Sequence, residues 1–305
     1  MGKASTAKQD QDRRERIATQ RAATQRTRAR NRILLACGAI IVVAGAVVGV
    51  VVSSGHSGPG SASGPGTPPT GAALASLVAT TTSVPAATLD QVGAGQASAT
   101  PASITGPPLT SGGKPEMLYI GAEYCPYCAA ERWAMVVALS RFGTFSGLAT
   151  IHSAARNGAG EAELYPNTAT WTFANASFTS RYLAFTPVET NTNIPDPATG
   201  GYTTLQTPTA EQQALLVKYD SASGGAIPFI DFGNKYLTVG ASYDPGVLAG
   251  LTWSQIAADL HDPASPVAKA VLGTANYLTA AICGLTNDQP ASACTSAVRS
   301  LRAKI

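Results

Sequence analysis

The segment "GAEYCPYCAAERW", residues 121–133, places two cysteines three positions apart between an apolar run and a helix-forming one. The run before them, "MLYIGA", is short, apolar and bounded by proline and glycine, as expected of a buried strand. Pro126 favours a helix start, because the N–H that proline lacks would have no partner in a first turn. We therefore expect Cys125 at the open N-terminal end of a buried helix and Cys128 one turn inside it.

The order of predicted elements around this segment indicates an α/β fold. "LATIHSA", residues 148–154, is predicted to be a second strand that completes a βαβ unit with parallel strands. A helix follows in "TPTAEQQALLVKYD", and then come two strands, "AIPFIDF" and "KYLTV", joined by a Gly-Asn hairpin turn. A last helix is predicted after Pro245 in "GVLAGLTWSQIAADLHD". The order is thus β, α, β, α, β, β, α.

This order, with Cys-Pro-Tyr-Cys between the first strand and the first helix, resembles the thioredoxin fold. Proteins of that fold place a cis-proline before the third core strand, facing the cysteine pair, and Pro228 in "GGAIPFI" occupies that place. The resemblance implies that Cys125, Cys128 and Pro228 are catalytic and that Ile227 contacts the substrate. Tyr127 is expected either to give a surface for the substrate or to pack locally. The runs "GAEYCPYCAAERWA" and "ALSRFGTFSGL" also look like an uncharacterised family of membrane-anchored thioredoxin-like proteins of archaea and actinobacteria.

Two features depart from the thioredoxin pattern. Thioredoxins keep a buried carboxylate six residues before the first cysteine, and Tyr119 stands at that position here. Glu123, Glu131 or water is then left to accept the proton of the resolving thiol. In addition, an insertion of about 50 residues, 156–206, is predicted between the second strand and the following helix, a length well beyond ordinary connections. It is expected to cap the apolar first helix or to cover the substrate site.

The spacing of Cys125 and Cys128 suits thiol–disulfide exchange, which needs a reactive thiolate and a second thiol to resolve the mixed disulfide. A helix N-terminus lowers a thiol pKa from about 8.5 towards the range of about 3.5–7.5, so Cys125 is predicted to attack and Cys128 to resolve. A zinc site is the main alternative, but structural zinc usually needs a second close pair of ligands. A purely structural 125–128 disulfide would close too short a loop to restrict the unfolded chain. We expect no metal and no cofactor.

Cys283 and Cys294 are expected to form a structural disulfide. "NYLTAAICGL" predicts a helix that ends near Gly284, and "TNDQPASAC" predicts a loop that returns to a final short helix. A second redox pair is the alternative, but the spacing lacks the CxxC geometry of reactive pairs.

The N-terminal part of the chain has a different composition. Residues 1–32 carry ten Lys or Arg and three Asp or Glu, and residues 33–52 form an uncharged apolar run. About 20 apolar residues span a membrane as a helix, and the basic flank stays in the cytoplasm. A cleaved signal peptide would have a shorter apolar region, and a lipoprotein box would place that region before Cys37. We expect a single-pass plasma-membrane protein with a flexible linker at 53–73.

The rest of the chain, 74–305, is predicted to be an extracytoplasmic domain with a core at 114–262 and a C-terminal helical extension at 263–305. Because the basic excess lies in the N-terminal tail, no nucleic-acid partner is expected. Two functions agree with these features. One is a membrane-anchored thiol–disulfide oxidoreductase that acts on protein thiols or disulfides with a membrane electron-transfer partner. The other is a non-catalytic thioredoxin-fold binding or assembly factor.

Overall fold

The computed structural model describes residues 66–220 and 225–305. The predicted basic tail, transmembrane helix and most of the linker lie outside these residues. Within the described ranges, no single helix has the length and hydropathy needed to cross a membrane. One pair of helices, Gly71–Thr82 and Ala86–Val92, passes those two criteria together, and the pair is bent by 58°.

Helices and short strands alternate along the described chain. The helices are α1 (Gly71–Thr82), α2 (Ala86–Val92), α3 (Pro126–Ser140), α4 (Ala210–Asp220), α5 (Trp253–Asp259), α6 (Pro266–Leu285) and α7 (Ser296–Arg302). The strands are β1 (Ala102–Ser103), β2 (Thr110–Ser111), β3 (Lys114–Gly121), β4 (Gly143–Ser146), β5 (Ala149–His152), β6 (Ala169–Thr172), β7 (Ser177–Ser180), β8 (Ala184–Glu189), β9 (Asn191–Asp196), β10 (Gly201–Thr204), β11 (Phe229–Phe232) and β12 (Tyr236–Val239). The class is therefore mixed α/β, as predicted.

A mixed sheet forms the centre of the domain. Strand β3 pairs in parallel with β8 and antiparallel with β11, and β11 pairs antiparallel with β12. The two-residue strands β1 and β2 pair with β12 and with the start of β3. The long strands thus follow the order β8–β3–β11–β12. A short loop at the C-terminal end of β3 leads to Cys125 and into α3, which contains Cys128.

The predicted second strand exists, but the prediction that it pairs in parallel with β3 is wrong. Within residues 148–154, Ala149–His152 do form β5, but β5 pairs antiparallel with β6 in a separate two-stranded sheet. The parallel partner of β3 is β8, which contains Pro187 and lies inside the predicted insertion. Proline normally argues against a strand, but it is tolerated at a sheet edge because the missing N–H can face away from the ladder. Within the described residues β8 pairs with β3 alone, so it is such an edge.

The predicted insertion at 156–206 is consequently not one added block. Strand β8 belongs to the central sheet, while β6 and β7 precede it within this range and the β9–β10 hairpin follows it. The β5–β6 pair lies on α3, where the indole N–H of Trp133 donates to the carbonyl of Ala169 at 2.9 Å. The rings of Trp133 and Trp171 also meet at 5.2 Å. This part agrees with the expected cap over the first helix.

Helix α3 is buried on all sides. Cys125 is its N-cap and Pro126 its first residue, and every residue from Cys128 to Leu139 is buried. The helix packs against β6 on one side and against α6 on another. Such an all-round apolar sequence forms a stable helix only inside a core.

The helix predicted after Pro245 is divided in two, so the single-helix prediction is wrong. Residues Pro245–Leu248 form a 3-10 turn, and α5 begins only at Trp253. Gly250 between them has φ +74°, which ends the first segment because this conformation interrupts a helix. Thr252 then starts α5 with a capping box to Gln255.

Candidate functional site

The two cysteines lie at the junction of β3 and α3. Cys125 is the N-cap of α3, and its sulfur accepts a hydrogen bond from the backbone N–H of Cys128 at 3.2 Å. The same sulfur lies 3.9 Å from the carbonyl oxygen of Ile227, to which its S–H donates. Both cysteines are free thiols. Cys125 is 4% exposed and Cys128 is fully buried.

Ile227 and Pro228 face this pair across the sheet. The Ile227–Pro228 peptide bond is cis, as expected, and Pro228 immediately precedes β11. Ile227 packs against the small cluster formed by Ala122 and the two cysteines. The structure thus brings together residues that are about 100 positions apart in the sequence.

The environment shifts the pKa values of the two thiols in opposite directions. Hydrogen bonding to the Cys128 thiol lowers the pKa of Cys125, and the backbone N–H groups of the first turn and the charge of Arg132 act in the same direction against the effect of burial. Burial raises the pKa of Cys128 well above its ordinary value. Cys125 is therefore the more acidic of the two thiols.

A buried ion pair lies beneath the cysteines. The Arg132 guanidinium donates from Nε and Nη2 to the two carboxylate oxygens of Glu189, at 2.9 and 2.8 Å, and neither side chain is exposed. Nη2 also donates to the carbonyl of Ala122 at 2.6 Å, while Nη1 has no hydrogen-bond partner. The sequence analysis missed this pair. The available signal was a charged residue inside an otherwise apolar helical run.

Glu123 and Glu131 are the two carboxylates predicted as possible proton acceptors, and both bind groups other than the thiols. Glu123 accepts from the Thr172 hydroxyl at 2.6 Å, and Glu131 accepts from the backbone N–H and hydroxyl of Ser242 at 2.8 and 3.0 Å. Burial raises the pKa of both groups, that of Glu131 to about 7. Among the hydrogen bonds of the described residues, none joins either carboxylate to Cys125 or Cys128.

Tyr119 fills the position that a carboxylate would occupy. Its side chain is fully buried, its ring meets the edge of Phe173 at 5.5 Å, and its hydroxyl has no hydrogen-bond partner. Burial raises its pKa well above the ordinary value, so the hydroxyl stays neutral. A Cβ at position 121 would come within 2.0 Å of this hydroxyl oxygen, which explains why a glycine stands there.

Tyrosines from several segments form an aromatic rim around the cysteine pair. Tyr124 stacks on Tyr202 of β10 with ring centroids 4.0 Å apart and planes 7° from parallel. Tyr127 meets Tyr165 edge to face at 6.0 Å and remains 38% exposed. The predicted substrate-contact residue Tyr127 is thus both accessible and locally packed. Tyr165 and Tyr202 were missed because only the folded chain brings them here.

Hydrogen bonds hold the rim in place. The Tyr202 hydroxyl donates to Glu163, and the Tyr165 hydroxyl donates to Asp244 at 2.9 Å. The backbone N–H of Glu123 donates to Asn191 at the start of β9, at 2.9 Å. The β9–β10 hairpin therefore borders the loop that carries the cysteines, which agrees with the expected cover over the site.

Cys283 and Cys294, the other two cysteines of the described residues, form the expected disulfide. Cys283 near the end of α6 is bonded to Cys294 in the loop before α7, with the Cα atoms 5.7 Å apart. Asp288 lies close to both sulfurs, but the sulfurs are bonded to each other and Arg302 binds the carboxylate at 2.6 Å. This cluster consequently offers no thiolate ligands to a metal.

The chain matches the model of a protein family that is described as a domain of unknown function, DUF929. The match covers residues 100–284, more than half of the 305-residue chain, so the chain belongs to this family. The matched range contains the Cys125–Cys128 pair and the Arg132–Glu189 ion pair. No curated protein and no solved structure matches the chain.

Proposed function

We propose that this DUF929 protein is a membrane-anchored, extracytoplasmic thiol–disulfide oxidoreductase with Cys125-Pro126-Tyr127-Cys128 as its active site. The observation that carries the proposal is the asymmetry of the two thiols. Cys125 caps a helix, where N–H groups and the helix dipole favour a thiolate, and Cys128 is a buried thiol one turn away. An attacking thiolate beside a protonated resolving thiol is what exchange requires.

A thioredoxin-like fold is part of the proposal. The order β8–β3–β11–β12, with one parallel and two antiparallel pairings, supports it. So does the position of the cysteines between the first core strand and its crossover helix, opposite Ile227 and Pro228. Helix N-termini at the carboxyl ends of parallel strands are a common place for functional groups in α/β folds.

The exchange proceeds in two displacements. The Cys125 thiolate attacks one sulfur of a substrate disulfide, and the other substrate sulfur leaves as a thiolate and takes up a proton. Cys128 then loses its proton and attacks the Cys125 sulfur, which breaks the mixed disulfide and releases the second substrate thiol. The substrate gains two electrons and the 125–128 pair becomes a disulfide. Run in reverse, the same steps oxidise a substrate dithiol.

The substrates of this proposal are protein thiols or disulfides, and a membrane electron-transfer partner restores the pair after each turnover. The apolar run at 33–52 supplies the anchor, and the basic residues before it keep the N-terminus in the cytoplasm. Protease added to intact spheroplasts should remove the domain and leave a short protected N-terminal fragment. Full protection of the chain would contradict this topology.

A non-catalytic binding or assembly factor is the second candidate. The observation that favours it is the 4% exposure of Cys125, since a thiolate that attacks a protein disulfide must be reached by it. In that case the tyrosine rim and the exposed ring of Tyr127 would bind a partner without electron transfer.

Trapping of mixed disulfides distinguishes the two candidates. Cys128→Ser removes the resolving thiol, so substrates should accumulate on Cys125 as high-mass bands that disappear on reduction. Cys125→Ser is the matched control and should trap nothing. The purified full-length protein should also transfer electrons from dithiothreitol to a disulfide. If Cys128→Ser traps no partner and the purified protein transfers no electrons, the binding-factor candidate is correct.

A further inference from the structure

Arg132 and Cys128 are neighbours on the same face of α3. They are four residues apart, the spacing that places two helical side chains one above the other, and both are fully buried. The Arg132 guanidinium donates to the carbonyl of Ala122 at 2.6 Å, and Ala122 packs against both cysteines. The positive charge is therefore fixed next to the resolving thiol.

The Arg132 guanidinium is immobilised, and one of its nitrogens makes no hydrogen bond. Glu189 holds Nε and Nη2 in a two-pronged arrangement, which fixes the plane of the group. Nη1 is buried and has no partner. Unpaired buried donors are uncommon in folded proteins, and each one calls for an explanation. An anion that forms only during a reaction would supply the missing acceptor.

The titratable and charged groups around Cys128 come from three elements and from the loop between β3 and α3. Cys125 and Arg132 lie at α3 with it, Tyr119 lies on β3, Tyr124 lies in the loop, and Glu189 lies on β8 behind Arg132. Burial raises the pKa of the Cys128 thiol, and the neighbouring Cys125 raises it further. Arg132 lowers that pKa. Burial raises the pKa of Tyr119 and of Tyr124, so both are neutral, and of the ion pair it is Arg132 whose charge acts on Cys128. Arg132 is therefore the group that opposes the cost of forming a buried thiolate.

We propose that Arg132, positioned by Glu189, stabilises the Cys128 thiolate during the resolving step, and this role rests on the exchange function proposed above. The Cys128 S–H proton passes to water, and the resulting thiolate accepts a hydrogen bond from Nη1. The thiolate attacks the Cys125 sulfur, so that the 125–128 bond forms and the bond from Cys125 to the substrate sulfur breaks. The substrate sulfur leaves with the electron pair and takes up a proton. An arginine thus supports the step for which thioredoxins keep a buried carboxylate.

The two displacements can be timed separately with 5,5′-dithiobis(2-nitrobenzoate). Attack by Cys125 releases one coloured thionitrobenzoate, and attack by Cys128 on the mixed disulfide releases a second. The experiment uses the full-length protein in detergent after mild reduction of the 125–128 pair. Cys37→Ser is present in all variants, because this cysteine in the predicted span would also react.

The test variant is Arg132→Gln with Glu189→Gln, which removes both charges and leaves no unpaired buried ion. Of the two charges, it is that of Arg132 that acts on Cys128, and an opposite charge shifts a pKa by about 1–3 units, so the second phase at pH 7 should slow at least about tenfold. The pH midpoint of that phase should rise by about one unit or more. The first phase should change less than about threefold, since a hydrogen bond from Cys128 has a larger effect on Cys125 than Arg132 has.

Two further variants serve as controls. Glu131→Gln alters the adjacent buried charged residue of α3, which binds Ser242 instead of the cysteine site, and it should leave both phases unchanged. Arg132→Lys keeps the charge without the two-pronged geometry, so its second phase should lie between those of wild type and the double variant. If circular dichroism shows that the double variant is unfolded, the rate of the second phase in Arg132→Lys tests the role of Arg132 by itself.

The outcomes separate this inference from the proposed function. Wild-type speed of the second phase in Arg132→Lys and in the folded double variant would overturn the role of Arg132 while leaving exchange intact. Equal slowing by Glu131→Gln would also overturn it, because the effect would then be a general loss of packing. A wild-type protein that releases no thionitrobenzoate would overturn the exchange function itself.

Discussion

The two cysteine pairs of the domain are almost equally buried and yet differ in state. Cys283 and Cys294 are bonded to each other inside an apolar cluster formed by α6 and its neighbours. Cys125 and Cys128 are free thiols at a helix N-terminus, above a buried arginine. Burial therefore does not distinguish the bonded pair from the free one. The two pairs differ in their position on a helix and in the charges nearby, and these features decide how readily a sulfur ionises.

The largest expected effect on stability comes from replacing the buried arginine beside Cys125 and Cys128, and the exposed arginine beside the disulfide is its control. Arg132→Met leaves Glu189 buried without its partner, which should lower the free energy of unfolding by about 3–5 kcal/mol. Arg299 donates to the carbonyl of Cys294 but is exposed, so Arg299→Met should cost less than about 1 kcal/mol. Urea unfolding followed by circular dichroism measures both. Similar losses in the two variants would contradict the contrast between the pairs.

Removal of the sulfurs should affect the two regions differently. The 283–294 bond closes a loop of 11 residues, and Cys283→Ala with Cys294→Ala should destabilise the protein by about 3 kcal/mol on the chain-entropy model. Disulfide exchange should be retained. Cys125→Ala with Cys128→Ala should abolish exchange and cost about 1 kcal/mol, since it removes one N-cap hydrogen bond but no covalent bond. Thermal unfolding without reductant and a dithiothreitol-coupled assay test this reciprocal result.

The pH dependence of stability should also differ between the regions. The folded pKa of Glu131, about 7, exceeds the ordinary value of 4.5, so the folded state binds the extra proton between these values. Stability should consequently fall as the pH rises from about 4.5 to 7, by roughly 2–3 kcal/mol at about 1.4 kcal/mol per pKa unit. Glu131→Gln should flatten this slope. Unfolding curves measured across that window provide the check.

Asp288, beside the disulfide, should show the opposite sign. Hydrogen bonding to Arg302 lowers its folded pKa, so its stabilising contribution is present above the unfolded pKa and is lost as the pH falls through the folded value. The pair is partly exposed, and solvent screening makes the change smaller than that of Glu131. If Asp288→Asn altered the slope above pH 4.5 as much as Glu131→Gln, the contrast would fail.

The smallest expected effect concerns Tyr119 in the reactive region. Its hydroxyl is buried without a partner, so Tyr119→Phe should leave stability unchanged or raise it by about 1 kcal/mol. Tyr243 is the matched control, because its buried hydroxyl donates to the carbonyl of Ala130 in α3 at 2.6 Å. Tyr243→Phe should cost about 1 kcal/mol or more. A substantial loss in Tyr119→Phe would mean that its hydroxyl has an acceptor.

Local patterns predicted the elements that carry the cysteines. Apolar runs, Pro126 and the Gly233–Asn234 turn predicted β3, α3 and the β11–β12 hairpin. Local patterns failed where the strand order depends on pairing between residues far apart in the sequence. Residues 148–154 look like a strand and form one, but no local feature says that β8 takes the place beside β3. Pro187 concealed that strand, because its tolerance at a sheet edge depends on the completed sheet.

The sequence by itself determined the spacing of Cys125 and Cys128, the helix that begins beside Cys125 and the pairing of the two remaining domain cysteines. These follow from residue types and short spacings, which fix backbone conformation within a few residues. Only the tertiary structure decided that Arg132 meets Glu189 and that Tyr202 covers Tyr124. Such contacts join residues tens of positions apart, and their energies come from burial and charge, which exist only after the chain has folded.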